Sequence, residues 1–130
     1  MITYEWRGPF TSTEVTALHA AAFGDGDAAR NWRDQLERHS LGWVCARNGD
    51  DLAGFVNVAW DGGAHAFILD TMVAPRTHRQ GTGTGLVALA IAEARRAGCA
   101  WLHVDFEEHL RLFYLGSCGF TRTAAGLFAL

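Results

Sequence analysis

Basic charge is in short supply in this chain. Eleven Lys+Arg face fourteen Asp+Glu, for a formal net charge of −3, and no basic run exceeds two residues. That excludes the basic excess or stripe a nucleic-acid surface requires. Cysteine is sparse too: Cys45, Cys99 and Cys118 are an odd set at wide spacing, each in an apolar neighbourhood. They read as buried thiols of a reducing cytoplasm rather than a disulfide frame. The one long apolar run, residues 86–94, is far shorter than the ~20 residues a bilayer-spanning helix needs, and "MITYEWRGPF" lacks the basic-then-apolar order of a signal peptide. No repeat, linker or low-complexity segment is visible. The expectation is a soluble, cytoplasmic protein with no membrane or nucleic-acid partner.

What is present is a core. Hydrophobic residues make up 49% of the 130 residues, too many for a disordered chain, and the length predicts one domain spanning residues 1–130. Residues 3–6 read as a short strand closed by Gly8-Pro9. "TSTEVTALHAAAF" follows as a helix capped by Thr11 or Ser12, with Val15, Leu18, Ala22 and Phe23 on one face. Gly24-Asp25-Gly26-Asp27 breaks it. A second helix, "AARNWRDQLERHS", places Trp32 and Leu36 four apart. From Trp43 the period shortens, and turns at Asn48-Gly49 and Asp61-Gly62 predict an antiparallel three-strand meander. A helix from about Gly83 to Ala97 stops at Gly98. "WLHVDF" alternates as a strand, Glu107 to Ser117 reads as a last helix, and "GFTRTAAGLFAL" as a terminal hairpin. The order is mixed α+β, with helices packed on one central sheet.

The densest signal is Gly81-Thr82-Gly83-Thr84-Gly85, between a strand and a long apolar helix. Glycines let a ligand approach the backbone, and a helix start adds unpaired amides and partial positive charge, so the run reads as an anion site. A nucleotide P-loop requires Lys-Ser/Thr after its last glycine, and Leu86-Val87 stands there instead. A dinucleotide fingerprint requires G-x-G-x-x-G at the first strand-to-helix turn, whereas here G-x-G-x-G comes late, after a meander.

The third reading is the pyrophosphate of coenzyme A. Val73-x-Pro75-x-x-His78-x-x-Gly81-x-Gly83-x-x-Leu86 resembles the acyl-CoA loop of the GNAT superfamily of N-acetyltransferases, Gln/Arg-x-x-Gly-x-Gly/Ala. Downstream, "WLHVDFEEHLRLFYLGSCGF" is similar to that family's strand, helix and closing Phe-Tyr-x-x-x-Gly-Phe segment, here Phe113-Tyr114 and Gly119-Phe120. His78 stands where Gln or Arg is usual, and Glu107 and Leu110 where Asn and Ala are common. The resemblance implies a twisted, mostly antiparallel central sheet flanked by about four helices. It implies acetyl-CoA as co-substrate, held by Met72, Val73, His78, Arg79, Gln80, Gly81, Thr82, Gly83, Thr84, Gly85 and Phe113, with no metal.

By the same resemblance the activity is acetyl transfer from acetyl-CoA to a primary amine of a small molecule or peptide. A backbone amide of the strand Ile68–Val73 polarises the thioester carbonyl. Tyr114 is the candidate general acid, since a phenol with a pKa near ~10 stays protonated at neutral pH and can protonate the departing thiolate. Asp70 is the first choice for general base and Glu107 the second. An acidic pocket of Asp70, Asp105 and Glu107 favours a cationic acceptor, and Trp32 or Trp101 are candidates to line it. A metal reading of "HVDFEEH", with His103 and Asp105 on one strand face, matches no specific zinc spacing. The alternatives are a non-catalytic acyl-CoA sensor, or a ligand-free interaction protein that leaves the glycine loop unexplained. A homodimer is compatible with either enzyme or sensor.

Overall fold

The computed structural model describes residues 1–24, 30–78 and 80–130. Five strands run in sheet order β1-β2-β3-β4-β5: β1 Ile2–Trp6, β2 Ser40–Asn48, β3 Asp51–Trp60, β4 His65–Val73 and β5 Trp101–Val104. The first four pair antiparallel, as the meander and its turns predict, while β5 pairs parallel to β4. A parallel neighbour requires a crossover, which is the helix α3, Thr82–Arg96.

Two helices precede the meander, α1 at Ser12–Phe23 and α2 at Trp32–His39. The start of α1 follows from Thr11, whose hydroxyl accepts from the Glu14 amide while the Glu14 carboxylate accepts from the Thr11 amide. The start of α2 is capped by Asn31, and the stretch from Asp25 to Ala29, on which the expected break and helix start fall, lies outside the described residues.

Both sheet faces are covered, which is why β2 and β3 carry continuous buried runs. Trp43, Cys45 and Phe55 point to the face carrying Val15, Leu18, Trp32 and Leu36 of α1 and α2. Val44, Ala46, Val56 and Val58 point to the opposite face, against Leu86, Ala90 and Ala94 of α3.

Two expectations at the C-terminal end fail. Residues Glu107–Ser117 form no continuous α-helix: a 3-10 turn at Glu108–Leu110 passes into a π-helical turn at Leu112–Ser117, where Cys118 N–H donates to Phe113 O at 2.9 Å. The terminal hairpin is absent as well. Residues 119–130 carry no strand, turn or bend, because beyond Gly119 no Asn-Gly or Asp-Gly pair is present to reverse the chain. Among the described residues no helix is long and apolar enough to cross a membrane.

Candidate active site

A cleft of about 1090 Å³ opens where β4 and β5 part. The parallel pairing runs only from His65 opposite Trp101 to Ile68 opposite Val104. Beyond Ile68 the β4 ladder carries one extra residue against β3, whose register jumps from Phe55–Met72 to Asn57–Leu69. The extra residue falls at Asp70-Thr71, and Asp70 takes a left-handed φ of 55°. A bulge bends its strand and re-aims side chains. Here it carries Leu69–Val73 away from Asp105–Glu107 and leaves the carboxyl ends of two parallel strands open, the position where α/β sheets bind ligands.

The start of α3 forms the cleft's second wall. Gly81, at φ 75°, is its left-handed N-cap and supplies no side-chain cap. The first ladder bond is Gly85 N–H to Gly81 O at 3.0 Å, so the amides of Thr82, Gly83 and Thr84 stand outside the helix's own ladder. The Thr82 hydroxyl oxygen is buried without a protein partner among the described residues. Unpaired amides and the positive end of a 15-residue helix dipole suit an anion. The Thr77 hydroxyl donates to Ala74 O at 3.0 Å and His78 Nε2 lies 3.1 Å from Val73 O, tying the approach loop to the end of β4.

Opposite stands Tyr114, only 4% exposed. The π-helical turn widens the backbone so that consecutive residues face inward: Tyr114 stacks on Phe106 at 5.1 Å and meets Phe113 edge-on at 4.8 Å, while Phe120 closes the cluster at 5.9 Å. Burial pushes the Tyr114 phenol above its ordinary pKa, and the Thr71 hydroxyl pulls it partly back. The two side chains nonetheless fall short of hydrogen-bond geometry, since Thr71 Oγ1 has no protein partner among the described residues. The phenol is therefore held protonated.

Asp70, Asp105 and Glu107 all line the cleft. Asp70 lies 3.7 Å from the guanidinium of Arg30, which rests over the Trp32 ring at 3.7 Å and donates to Gln35 at 2.8 Å. Glu107 is largely exposed and lies 3.5 Å from His109 Nδ1.

Of the residues singled out from sequence, the cleft gathers Tyr114, Asp70, Glu107, Val73, His78 and Phe113 with Gly81, Thr82, Gly83 and Thr84. Met72 points the other way, into the core beside Phe10 and Phe55. Gln80 is exposed and outside the lining, and Arg79 lies outside the described residues. Gly85 has its amide engaged, and a Cβ there would overlap the ring of Tyr4. Neither tryptophan candidate lines the cleft: Trp32 is buried core and Trp101 is exposed on β5. His103 contacts His65, and no group of three or more metal-ligating side chains occurs among the described residues.

Ala21, Ala22 and Phe23, at the end of α1, form a wall that helical periodicity assigned in part to the core. The signal that separates them is their place in the last turn, next to a Gly-Asp stretch where the helix overhangs the sheet. Arg30 was also missed; its only sequence cue is an arginine two residues before a tryptophan.

A family model for the acetyltransferase (GNAT) family matches residues 3–120, and the chain belongs to that family. Its members use acetyl-CoA as acyl donor. Solved structures agree in fold. A GNAT-family acetyltransferase from Streptococcus pneumoniae superposes with a TM-score of 0.81 at 24% identity, covering 100% of this chain and 98% of its own. Glucosamine-6-phosphate N-acetyltransferase from Arabidopsis thaliana gives 0.77 at 14%, covering 98% of each chain. AAC(6')-Iy, solved with a CoA-containing bisubstrate analogue, gives 0.77 at 16%, covering 100% of this chain and 97% of its own. No curated protein matches the chain in sequence.

Proposed function

We propose that the protein is an N-acetyltransferase that moves the acetyl group of acetyl-CoA to the primary amine of a small molecule or peptide. The observation carrying this reading is that Tyr114 and the open start of α3, Gly81–Thr84, line one cleft at the parting of β4 and β5.

The residues present fit a pyrophosphate-bearing donor. The amides of Thr82, Gly83 and Thr84 would hold the phosphates, with the partnerless Thr82 hydroxyl beside them. The donor supplies an activated acyl thioester. The ring of Phe113 and the end of β4 at Val73 flank the path from the phosphates into the cleft. Tyr114 holds the proton that the departing sulfur takes up. Its burial keeps that proton on the oxygen at neutral pH, and the same desolvation raises a sulfur's proton affinity, as it does for buried Cys45, pushed up to about 12.

The acceptor enters past Asp70, Asp105 and Glu107, three carboxylates that favour a cation. Asp70 takes up the amine proton, directly or through water, and Glu107 is the alternative acceptor of it.

The test is thiol release from acetyl-CoA across primary amines, polyamines, amino acids and peptide N-termini. Transfer predicts amine-dependent release that rises with pH as the acceptor or its base deprotonates. Binding of acetyl-CoA without release on any amine would make the chain an acyl-CoA sensor.

A further inference from the structure

Away from the cleft, two imidazoles meet across neighbouring strands. His65 Nδ1 lies 2.7 Å from His103 Nε2, with the ring centroids 5.0 Å apart. The strand register explains the meeting. β4 and β5 pair His65 with Trp101 and Phe67 with His103, and alternate residues of a strand share a face, so His65 and His103 are diagonal neighbours on one side of the sheet. Neither lines the cleft, which opens beyond Ile68 and Val104 at the other end of the same pairing. His103 is exposed and His65 half-buried, so solvent ions reach the pair.

Both residues are fixed by their surroundings. His103 stacks on Phe67 at 4.8 Å, with 17° between the ring planes. The His65 backbone is held twice by Asp61: its N–H donates to Asp61 Oδ1 at 3.2 Å, and its carbonyl accepts from the Asp61 N–H at 3.0 Å. Two ring nitrogens this close require something between their lone pairs. A hydrogen meets that requirement when one ring donates and the other accepts. A metal ion meets it with both lone pairs at once, each ring then carrying its hydrogen on the outer nitrogen.

We infer that His65 Nδ1 and His103 Nε2 form a two-histidine site for a divalent transition ion of the Zn²⁺ class, which clips β4 to β5 at the closed end of their pairing. The distances suit such an ion. Two nitrogens at about 2.0–2.1 Å from one metal lie roughly 2.8–3.4 Å apart for bond angles between 90° and tetrahedral, so side-chain rotation of less than about an ångström admits it. Imidazole ligands also select against Mg²⁺ and Ca²⁺, which take oxygen. Asp61 adds negative charge beside His65. Hydrogen bonds from the Gly63 and His65 amides to its Oδ1 hold its carboxyl below the ordinary pKa. No third metal-ligating side chain joins the pair among the described residues, so water fills the ion's remaining positions. The site does not depend on the transfer reaction.

The experiment is calorimetric titration of the untagged full chain with Zn²⁺, and with Mg²⁺ as control, alongside melting at each metal concentration. A Tm that rises with Zn²⁺ and ignores Mg²⁺ is expected. His65→Gln and His103→Gln each delete a ligand and keep a polar side chain, so the metal-free variants should melt near the parent. Each should weaken Zn²⁺ by ~10-fold or more, since loss of even a ligand's supporting hydrogen bond costs that much. A second measurement needs no variant: Cu²⁺ bound to the parent should show electron paramagnetic resonance coupling to two imidazole nitrogens. Absence of Zn²⁺ binding overturns the inference, as does an affinity that survives both replacements. Coupling of Cu²⁺ to one nitrogen or none overturns it too.

Discussion

Asp70 Oδ2 lies 3.7 Å from an Arg30 guanidinium that is itself clamped over Trp32 and bonded to Gln35. Asp70 thus enters the cleft with a fixed countercharge, and each partner can be tested alone. Asp70→Asn should slow transfer more at neutral than at alkaline pH, where the amine has already shed its proton. Equal loss at both would make Asp70 a structural carboxylate of the bulge. Arg30→Gln removes one positive charge behind the cleft, so KM for a cationic amine should fall several-fold at low salt with kcat nearly unchanged. The gain should fade as salt is added.

Thr84 stands at the third helical position of α3, counted from the Gly81 cap, and borders the cleft. Thr84→Asp places a negative charge where the helix dipole favours one and where donor phosphates would be repelled. The free protein should gain up to about 1 kcal/mol. The acetyl-CoA-dependent rise in Tm, which reflects a stabilisation of about 2.7 kcal/mol at a hundred times Kd for the parent, should disappear. Differential scanning fluorimetry with and without acetyl-CoA reads both effects. An undiminished ligand shift would remove the start of α3 from the donor site.

The strands and the glycine loop were legible because each rests on local chemistry. Period-two runs between Asn48-Gly49 and Asp61-Gly62 mark the meander, and the hydroxyl pair Thr11-Ser12, of which Thr11 is the cap, marks the start of α1. The loop's glycines look alike in sequence and are not alike in structure. Gly81 supplies a left-handed φ, Gly83 lies against the Phe113 ring, and Gly85 makes room for Tyr4, at the other end of the sheet's chain order on β1. A contact that distant leaves no local trace. The same holds at the C-terminal end, where "EHLRLFYLGS" has helical periodicity, but packing Tyr114 between Phe106 and Phe120 widens it to a π turn. The bulge at Asp70 was equally invisible, since Asp among Leu, Ile and Thr does not break strand alternation.

Gly85 separates packing from binding within that loop. Gly85→Ala puts a Cβ into the half-buried Tyr4 ring, and overpacking of this kind costs about 1–3 kcal/mol. The Tm should drop by several degrees, while the acetyl-CoA affinity of the folded protein stays close to that of the parent. Normal melting with lost affinity would instead make Gly85 part of the phosphate cradle.

Glu14 accepts from both Arg47 guanidinium nitrogens, at 2.8 and 3.0 Å, and closes the cap of α1. The Arg47 hydrogen bonds hold its carboxyl at about 2 instead of 4.5. A depressed folded-state pKa contributes stability that is complete above the unfolded value and is lost as pH falls through the folded one. The window therefore runs from about 4.5 down to about 2. With screening of this partly exposed pair, Glu14→Gln should cost about 1–2 kcal/mol at pH 7. Urea melts of the two proteins should converge near the acid end of the window; a gap that persisted there would arise from shape rather than charge.

Tyr114 carries the sharpest claim, because its ring and its hydroxyl do different jobs. The ring packs between Phe106, Phe113 and Phe120 and is 4% exposed; the hydroxyl makes no hydrogen bond to Thr71, and the residue borders the cleft. Tyr114→Phe keeps the first and deletes the second. Tm and acetyl-CoA affinity should therefore hold, while the acyl-transfer step slows by ~10²-fold or more, the usual scale for a lost general acid. Burial raises the phenol's pKa above its ordinary value of about 10, so the parent should retain its acid into the alkaline range, and any fall in rate should come only above that pH. Product release can mask a slowed chemical step, so the measurement is a single-turnover time course with enzyme in excess. An undiminished single-turnover rate would return Tyr114 to a purely packing role. An early-melting variant would show that the hydroxyl supports the fold, with Thr71 as the side chain to examine next.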